Sequence, residues 1–245
     1  MTRFPFRPIV SPRAHEEVAE QLRRQIGLRL VGPGGALPAE RDLARLFGVG
    51  RATVQRAIRL LEAEGLVERR RGRLGGTFVV GVVDENGAGR LLGSLRRTGP
   101  EIEEALTFRL AVEPAAAALA ALAAPDADRA AIAAEYEATA AASADAEFME
   151  HDTAFHLAVG RASGNRFLAE SVERVRLVLN DALEALPDSP AWHAWSNEEH
   201  GRIRDAIAAR DAERARDAMA AHVLHADDAI RTLLASLALD RSRHR

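Results

Sequence analysis

Apolar residues recur at helical spacing along most of this chain, and alternation typical of strands is confined to one short stretch. From Arg13 to about Leu30, Val18, Leu22 and Ile26 share one face, and Gly32-Pro33-Gly34-Gly35 closes the helix. Residues 38–66, PAERDLARLFGVGRATVQRAIRLLEAEGL, predict two short helices around a tight turn. Leu43, Ala44 and Phe47 form the apolar face of the first. Val54, Ala57, Ile58 and Leu61 repeat at i, i+3, i+4, i+7 on the second, and Gly48 and Gly50 bracket the turn. Leu66–Arg69 and Thr77–Val80 predict two strands joined by a basic turn from Arg70 to Gly75. From Gly93 onward strand signals vanish, and alanine and leucine take over at helical spacing. Breaks fall near Thr98-Gly99-Pro100, Pro125, Ser143, Ser163-Gly164, Pro187 to Pro190 and Arg210-Asp211, which divides the remainder into six or seven helices.

The expected fold is therefore mainly α. A winged helix-turn-helix of three helices plus a β-wing, residues 12–82, is joined through a linker, 83–99, to an all-α bundle of six or seven helices, 100–236. Residues 1–12, with three prolines, read as an irregular arm.

Charge divides the chain at the same place. Residues 1–81 hold 15 Arg against 8 acids, a net of +7. Residues 82–245 hold 18 Arg against 28 acids, a net of −10, and the two sum to the overall −3. A basic head and an acidic body fit a nucleic-acid module joined to something else. The chain has no lysine, so every basic side chain counted is a guanidinium, suited to bidentate contact with phosphate and guanine. Outward positions of the second short helix are Arg51, Thr53, Gln55, Arg56 and Arg59, and the strand turn carries Arg69, Arg70, Arg71 and Arg73. A solvated helical hairpin would mix its charges; these positions point to a helix in the DNA major groove with a basic wing on phosphates or the minor groove. There is no cysteine, so disulfides are excluded and any metal must use His, Asp or Glu. The N-terminus lacks the apolar core of a signal peptide, and the run Ala115–Ala124 is too short to span a bilayer, so a cytoplasmic protein is expected.

In the body, a few polar groups fall on apolar faces. Phe148, Asp152, Phe155 and Val159 share a stripe, with His156 one turn beyond Asp152; His151 lies about as close to that stripe. His200 aligns with Ile203 and Ile207, and His222 borders Met219, Val223, Ala226, Ile230 and Leu233. An ionised buried carboxylate is costly unless paired or bound to metal. Asp152 paired with an arginine and singly hydrogen-bonded core histidines are one account. The other is an N₃O ligand set for a divalent transition metal. His15, His193, His225 and His244 join no such group.

Two sets of motifs carry a family resemblance. PAERDLARLFGVGRATVQRAI and RRGRLGGTFVV resemble the winged helix-turn-helix of GntR-family bacterial transcription regulators. FRLAVEPAAAALAA, HDTAFHLAVGRASGN, EEHGRIRDAIAARDAERARDAM and AAHV resemble the FCD effector domain of the FadR-type subfamily. Together they cover about residues 13–235. The resemblance implies DNA roles for Arg41, Arg51 and Thr53, with Gly72 bringing the wing backbone close to DNA. Arg56, Arg71 and Arg73 are placed on the same face by position. Two departures stand out: Gly50 replaces the usual hydroxyl residue, and Gln55 replaces a common arginine, which shifts a contact from guanine toward adenine or phosphate. In the body the resemblance implies Asp152, His156, His200 and His222 as metal ligands, with zinc first and manganese or nickel as alternatives. It also implies that Arg109 clamps an effector carboxylate, although Arg109 and Glu113 stand at salt-bridge spacing. Asn165 is either a second effector contact or a helix cap.

The expected function is a ligand-responsive transcription regulator, a repressor by subfamily habit, and not an enzyme. Its expected partners are a palindromic double-stranded operator, a small organic acid and a second copy of the chain. The alternatives are a metal-free sensor of a larger ligand such as an acyl-CoA, and a metal-dependent hydrolase fused to a DNA-binding head.

Overall fold

The computed structural model describes residues 14–72, 75–80, 85–186 and 189–243. The expected N-terminal arm, Arg73, Pro187 and the start of the expected linker lie outside them. Contacts group the described residues up to Ile26 and Gly34–Val80 into one unit, and Gly27–Pro33 with those after Val80 into another.

In the first unit, α1 (Ala14–Gly27) buries Val18, Ala19, Leu22 and Ile26. Helix α2 (Glu40–Phe47) stops at Gly48, whose φ of 64° is left-handed and would strain a residue with a β-carbon. Helix α3 (Arg51–Ala63) follows directly. Gly50 is extended, and its carbonyl accepts the amides of Thr53 and Val54 at 2.9 and 3.4 Å. Val54, Ala57, Ile58 and Leu61 are fully buried, as their spacing predicts. Truncating Leu61 to alanine would cost about 2–5 kcal/mol. Arg23 ties α1 to the end of α3 with two donated bonds to Glu64, at 2.9 and 2.8 Å.

The wing pairs β1 (Val67–Arg70) with β2 (Gly76–Val79) antiparallel, Val67 opposite Val79 and Glu68 opposite Phe78. Val67 and Val79 turn inward and are buried, while Glu68, Arg69 and Arg70 are exposed. Both strands sit within a residue of their expected bounds.

The second unit contains six helices among the described residues: α4 (Glu85–Ala123), α5 (Asp126–Ala141), α6 (Asp145–Ala162), α7 (Arg166–Glu184), α8 (Pro190–Ala208) and α9 (Ala212–Arg243). Two expectations need correction. Residues from Glu85 onward, read as linker, are helical, and α4 runs unbroken through Thr98-Gly99-Pro100 and Pro114. Leu95, Ile102 and Leu106 on one face of this stretch are buried in a core with Val175, Leu179 and Ile230. Burying three such side chains stabilises the helix by about 1.5–3 kcal/mol each, more than the roughly 3 kcal/mol an interior proline costs. Part of α4, Arg97–Ala123, is also long and apolar enough by composition to cross a membrane. Over half of its most apolar window is buried inside the bundle, as befits a core helix.

Two apolar zones fill the bundle. One joins Ala117, Ala120 and Ala121 with Phe155, Val159, Ile203, Met219 and Val223; the other holds Ile102 and Leu106 with Phe148, Met149, Leu179 and Ile230. Along α4, residues 109 and 113 lie between Leu106 of one zone and Ala117 of the other. Along α6, residue 152 lies between Met149 and Phe155. A polar layer is thus inserted between two dry ones.

Candidate functional site

The polar layer is built by five helices. Asp152 and His156 stand one turn apart on α6, His200 comes from α8 and His222 from α9, all four buried. One ligand atom from each lies within 4.8 Å of the others. His151 points elsewhere, its Nδ1 3.0 Å from Glu135 Oε2, so the α6 histidine of the group is His156.

The surroundings set the protonation of this group. His156 Nδ1 lies 2.5 Å from Glu113 Oε2, an arrangement in which the ring N–H donates to the carboxylate. Its Nε2 faces His222 Nε2 at 3.2 Å. Both ring nitrogens of His200 and Nδ1 of His222 are buried without a hydrogen-bond partner. Burial lowers His200 to about 3, against only partial opposition from Asp152, and it holds His222 well below the ordinary histidine range. Burial raises the Asp152 carboxyl, but the charge of the adjoining Arg176 guanidinium outweighs it and leaves the group near 2. Neutral imidazoles at His200 and His222 beside an ionised carboxylate are the states that metal ligation requires. Buried ring nitrogens left unpaired beside them fit a cation of the borderline-soft transition type.

Around these four residues lies a belt of buried charge. Arg176 donates to Asp152 Oδ2 at 2.5 Å and to Thr153 Oγ1 at 2.8 Å. Arg109 Nε donates to Glu113 Oε1 at 2.7 Å, so the expected salt bridge does form. Its Nη1 is left without a hydrogen-bond partner, 3.6 Å from an equally unpartnered Asp227 Oδ1. Burial pushes Asp227 up to about 6, more than Arg109 pulls it down. Trp195 on α8 stacks on His222 with ring centroids 5.8 Å apart, and packs at a 30° tilt against His225 at 3.8 Å.

Asn165 is not part of this layer. It is exposed at the start of α7, and its Oδ1 accepts the amides of Phe167 and Leu168 at 3.0 and 3.4 Å. Of its two expected roles the structure assigns it the cap, because a short amide just before a helix satisfies free N–H groups. Arg176 and Asp227 were absent from the sequence expectation. Both carried a signal: Arg176 falls on the buried stripe of Val172, Val175 and Leu179, and Asp227 lies between Val223 and Ile230 on α9.

In the first unit, Arg41, Arg51 and Arg71 line one concave face of about 920 Å³, together with Arg69, Arg70 and Phe78. Arg41, Arg51, Arg56 and Arg71 are exposed, and Thr53 and Gln55 are half-buried on the same helix. Arg69 is held by Glu62, and Arg70 lies over the Phe78 ring at 4.3 Å. Gln55 Nε2 donates to Glu40 Oε2 at 2.8 Å, so that amide braces α3 against α2 in this structure. Gly72, with φ 109°, occupies the wing turn in a conformation natural only to glycine.

Comparison with known proteins agrees with both halves. Residues 14–79 match the model described as "Bacterial regulatory proteins, gntR family", and residues 104–225 match the FCD domain. The chain is 33% identical over 245 residues to the "Putative L-lactate dehydrogenase operon regulatory protein" of Escherichia coli (strain K12), spanning 96% of this chain and 92% of that one. It is 31% identical over 207 residues to the HTH-type transcriptional regulator LutR of Bacillus subtilis (strain 168), spanning 81% and 92%. Among solved structures, E. coli McbR/YncC shares the fold at a TM-score of 0.52 and 20% identity, over 94% of this chain and all of that one. The chain belongs to the GntR family of bacterial regulatory proteins, as a DNA-binding transcription regulator, not an enzyme, whose helical half is an FCD domain.

Proposed function

We propose that this chain is a cytoplasmic, homodimeric repressor that senses a small carboxylate at a metal held by Asp152, His156, His200 and His222. The observation that carries this reading is the convergence of four ligand atoms within 4.8 Å, with three buried histidine nitrogens left without partners. Zinc suits an N₃O set first, with manganese or nickel as alternatives. Bound there, a divalent cation supplies a Lewis-acidic centre that attracts a carboxylate oxygen.

Charge supports an anionic effector. Leaving the histidines aside, Arg109 and Arg176 stand against Glu113, Asp152 and Asp227, a net of −1. A divalent cation turns that into +1. Arg109 Nη1 and Asp227 Oδ1, 3.6 Å apart and each without a hydrogen-bond partner, suit a group that both accepts and donates, such as the hydroxyl of a hydroxy acid. The name of the Escherichia coli relative, which concerns an L-lactate dehydrogenase operon, supports the same class. In the head, α3 enters the major groove, with Arg51, Thr53, Gln55 and Arg56 along it; Arg41, Arg71, Gly72 and Arg73 contact the flanking backbone. Two heads of a two-fold dimer read a palindrome.

The test is metal analysis combined with thermal shift against a panel of short carboxylates, L-lactate included, with and without chelator. One zinc per chain is expected, lost in His200→Ala. A matching acid at a hundred times its Kd should add about 2.7 kcal/mol of stability, only when metal is present. Equal shifts in chelator, or full zinc content in His200→Ala, would overturn the reading.

A further inference from the structure

Residues Gly27–Pro33 belong by their contacts to the helical unit, although the chain on either side of them belongs to the DNA-binding one. Gly27 is also the last residue of α1. What holds this segment to the bundle leads back to the four-ligand cluster. Arg176 Nη2 donates to Asp152 Oδ2 at 2.5 Å and to Thr153 Oγ1 at 2.8 Å; Thr153 donates to Asn180 Oδ1 at 3.4 Å; Asn180 Nδ2 donates to the Gly27 carbonyl at 3.1 Å. Asp152, Thr153, Arg176 and Asn180 are all buried.

We propose that Asn180 is the coupling residue through which, by way of Arg176 and Thr153, the state of the cluster reaches the end of α1. This rests on the metal-site reading above. The polarity of the chain of bonds is fixed by chemistry. A guanidinium only donates and a peptide carbonyl only accepts, so the Thr153 hydroxyl must receive from Arg176 and give to Asn180. The Asn180 amide must then turn its NH₂ to Gly27. No member can reverse without leaving a buried polar atom unpaired, so a change at Asp152 either leaves the chain of bonds whole or breaks it at a joint. At the cluster end, Arg176 holds the same carboxylate that a cation on Asp152 would share. The two positive groups compete for it, and Arg176 is the one with an alternative partner in Thr153.

The far end is anchored at three consecutive residues. Beside the Gly27 carbonyl, Leu28 is buried among Ala116, Leu157 and Val172. Arg29, at a left-handed φ of 59°, pairs with Asp181 at 2.8 Å and with Glu184. The approach is close enough that a β-carbon on Gly27 would lie 3.0 Å from Leu177 Cδ2. Residues 176, 177, 180, 181 and 184 form one face of α7, so a single helix face contacts Asp152 at one end and the segment after α1 at the other.

The experiment compares the parent with Thr153→Val, Asn180→Leu and Thr153→Ser in the full chain. Zn²⁺ is the probe, and operator DNA is selected by the parent from a random pool. Zinc affinity, the ratio of DNA Kd with zinc to that with chelator, and hydrogen exchange of the 27–33 peptide are measured. In the parent, zinc changes both the DNA ratio and the exchange of 27–33. In Thr153→Val and Asn180→Leu zinc still binds within about threefold, but the ratio falls to within twofold of one and the exchange no longer responds. Thr153→Ser, which keeps the hydroxyl, behaves as the parent does. A parent that binds zinc with no change in 27–33 exchange overturns the coupling and leaves the metal site standing, as do variants that respond like the parent. A parent that binds no zinc overturns both.

Discussion

With no metal on them, the buried histidines should make the helical half acid-sensitive well above the range where carboxylates titrate. His200 is lowered to about 3 in the fold and His222 well below its ordinary value, whereas both return to about 6.5 when the chain unfolds. Groups whose folded pKa is depressed below the unfolded one are neutral in the fold and protonated outside it. Stability is therefore lost as pH falls through 6.5. Between pH 7.5 and 5.5 each imidazole removes about 1.4 kcal/mol, or roughly 2.7 kcal/mol for the pair. Asp227 works the other way: raised to about 6, it takes up a proton in the fold first and returns about 0.8 kcal/mol over the same interval. The net loss is about 2 kcal/mol, a fall in melting temperature of roughly 4–8 °C for a chain of this size. The two tryptophans, Trp192 and Trp195, are both on α8, so a fluorescence melt in chelator follows the helical half alone. His200→Leu should flatten the dependence to about 0.6 kcal/mol, less than a third of the parent's. A melting temperature constant within a degree or two across this interval would show that these rings do not sit neutral and desolvated.

Three further outcomes are expected. Arg51→Ala should weaken operator binding in an anisotropy titration at physiological salt by about 1–3 kcal/mol while leaving nonspecific binding largely intact; unchanged specific affinity would remove α3 from the groove. Arg109→Gln should weaken a carboxylate effector about ten- to a hundredfold in calorimetry, and an equal affinity would return Arg109 to a purely structural pairing with Glu113. Because Trp195 stacks on His222, Mn²⁺ or Ni²⁺ should quench tryptophan emission in the parent and much less in Trp195→Phe. Quenching of the same size in both would place the ion elsewhere.

Much of the fold could be read from spacing because most elements are amphipathic over their whole length. The four buried residues of α3 and the alternation of Val67 and Val79 against exposed arginines are local patterns. The misread stretch, Thr98-Gly99-Pro100, failed because a breaker is judged from its neighbours in sequence, while Leu95, Ile102 and Leu106 are stabilised by helices about 70 to 130 residues away. At the site, Asp152, His200 and His222 were legible as polar residues on apolar faces. The choice between His151 and His156 was not, because both lie near the stripe and only Glu113, on another helix, sets His156 apart. Arg176 could have been found by the same test had cations been sought on buried faces along with ligands.

Helix α4 has a mechanical consequence. Its 39 residues extend about 58 Å at 1.5 Å per residue, and Arg109 lies 24 residues from its start, about 36 Å along the axis. A rotation of only about 5° pivoting at Arg109 would swing the Glu85 end by about 3 Å, nearly the width of a base-pair step. A lever of that length multiplies travel and not force, so a small shift beside Arg109 is enlarged at the Glu85 end only as far as the packing of Leu95, Ile102 and Leu106 yields.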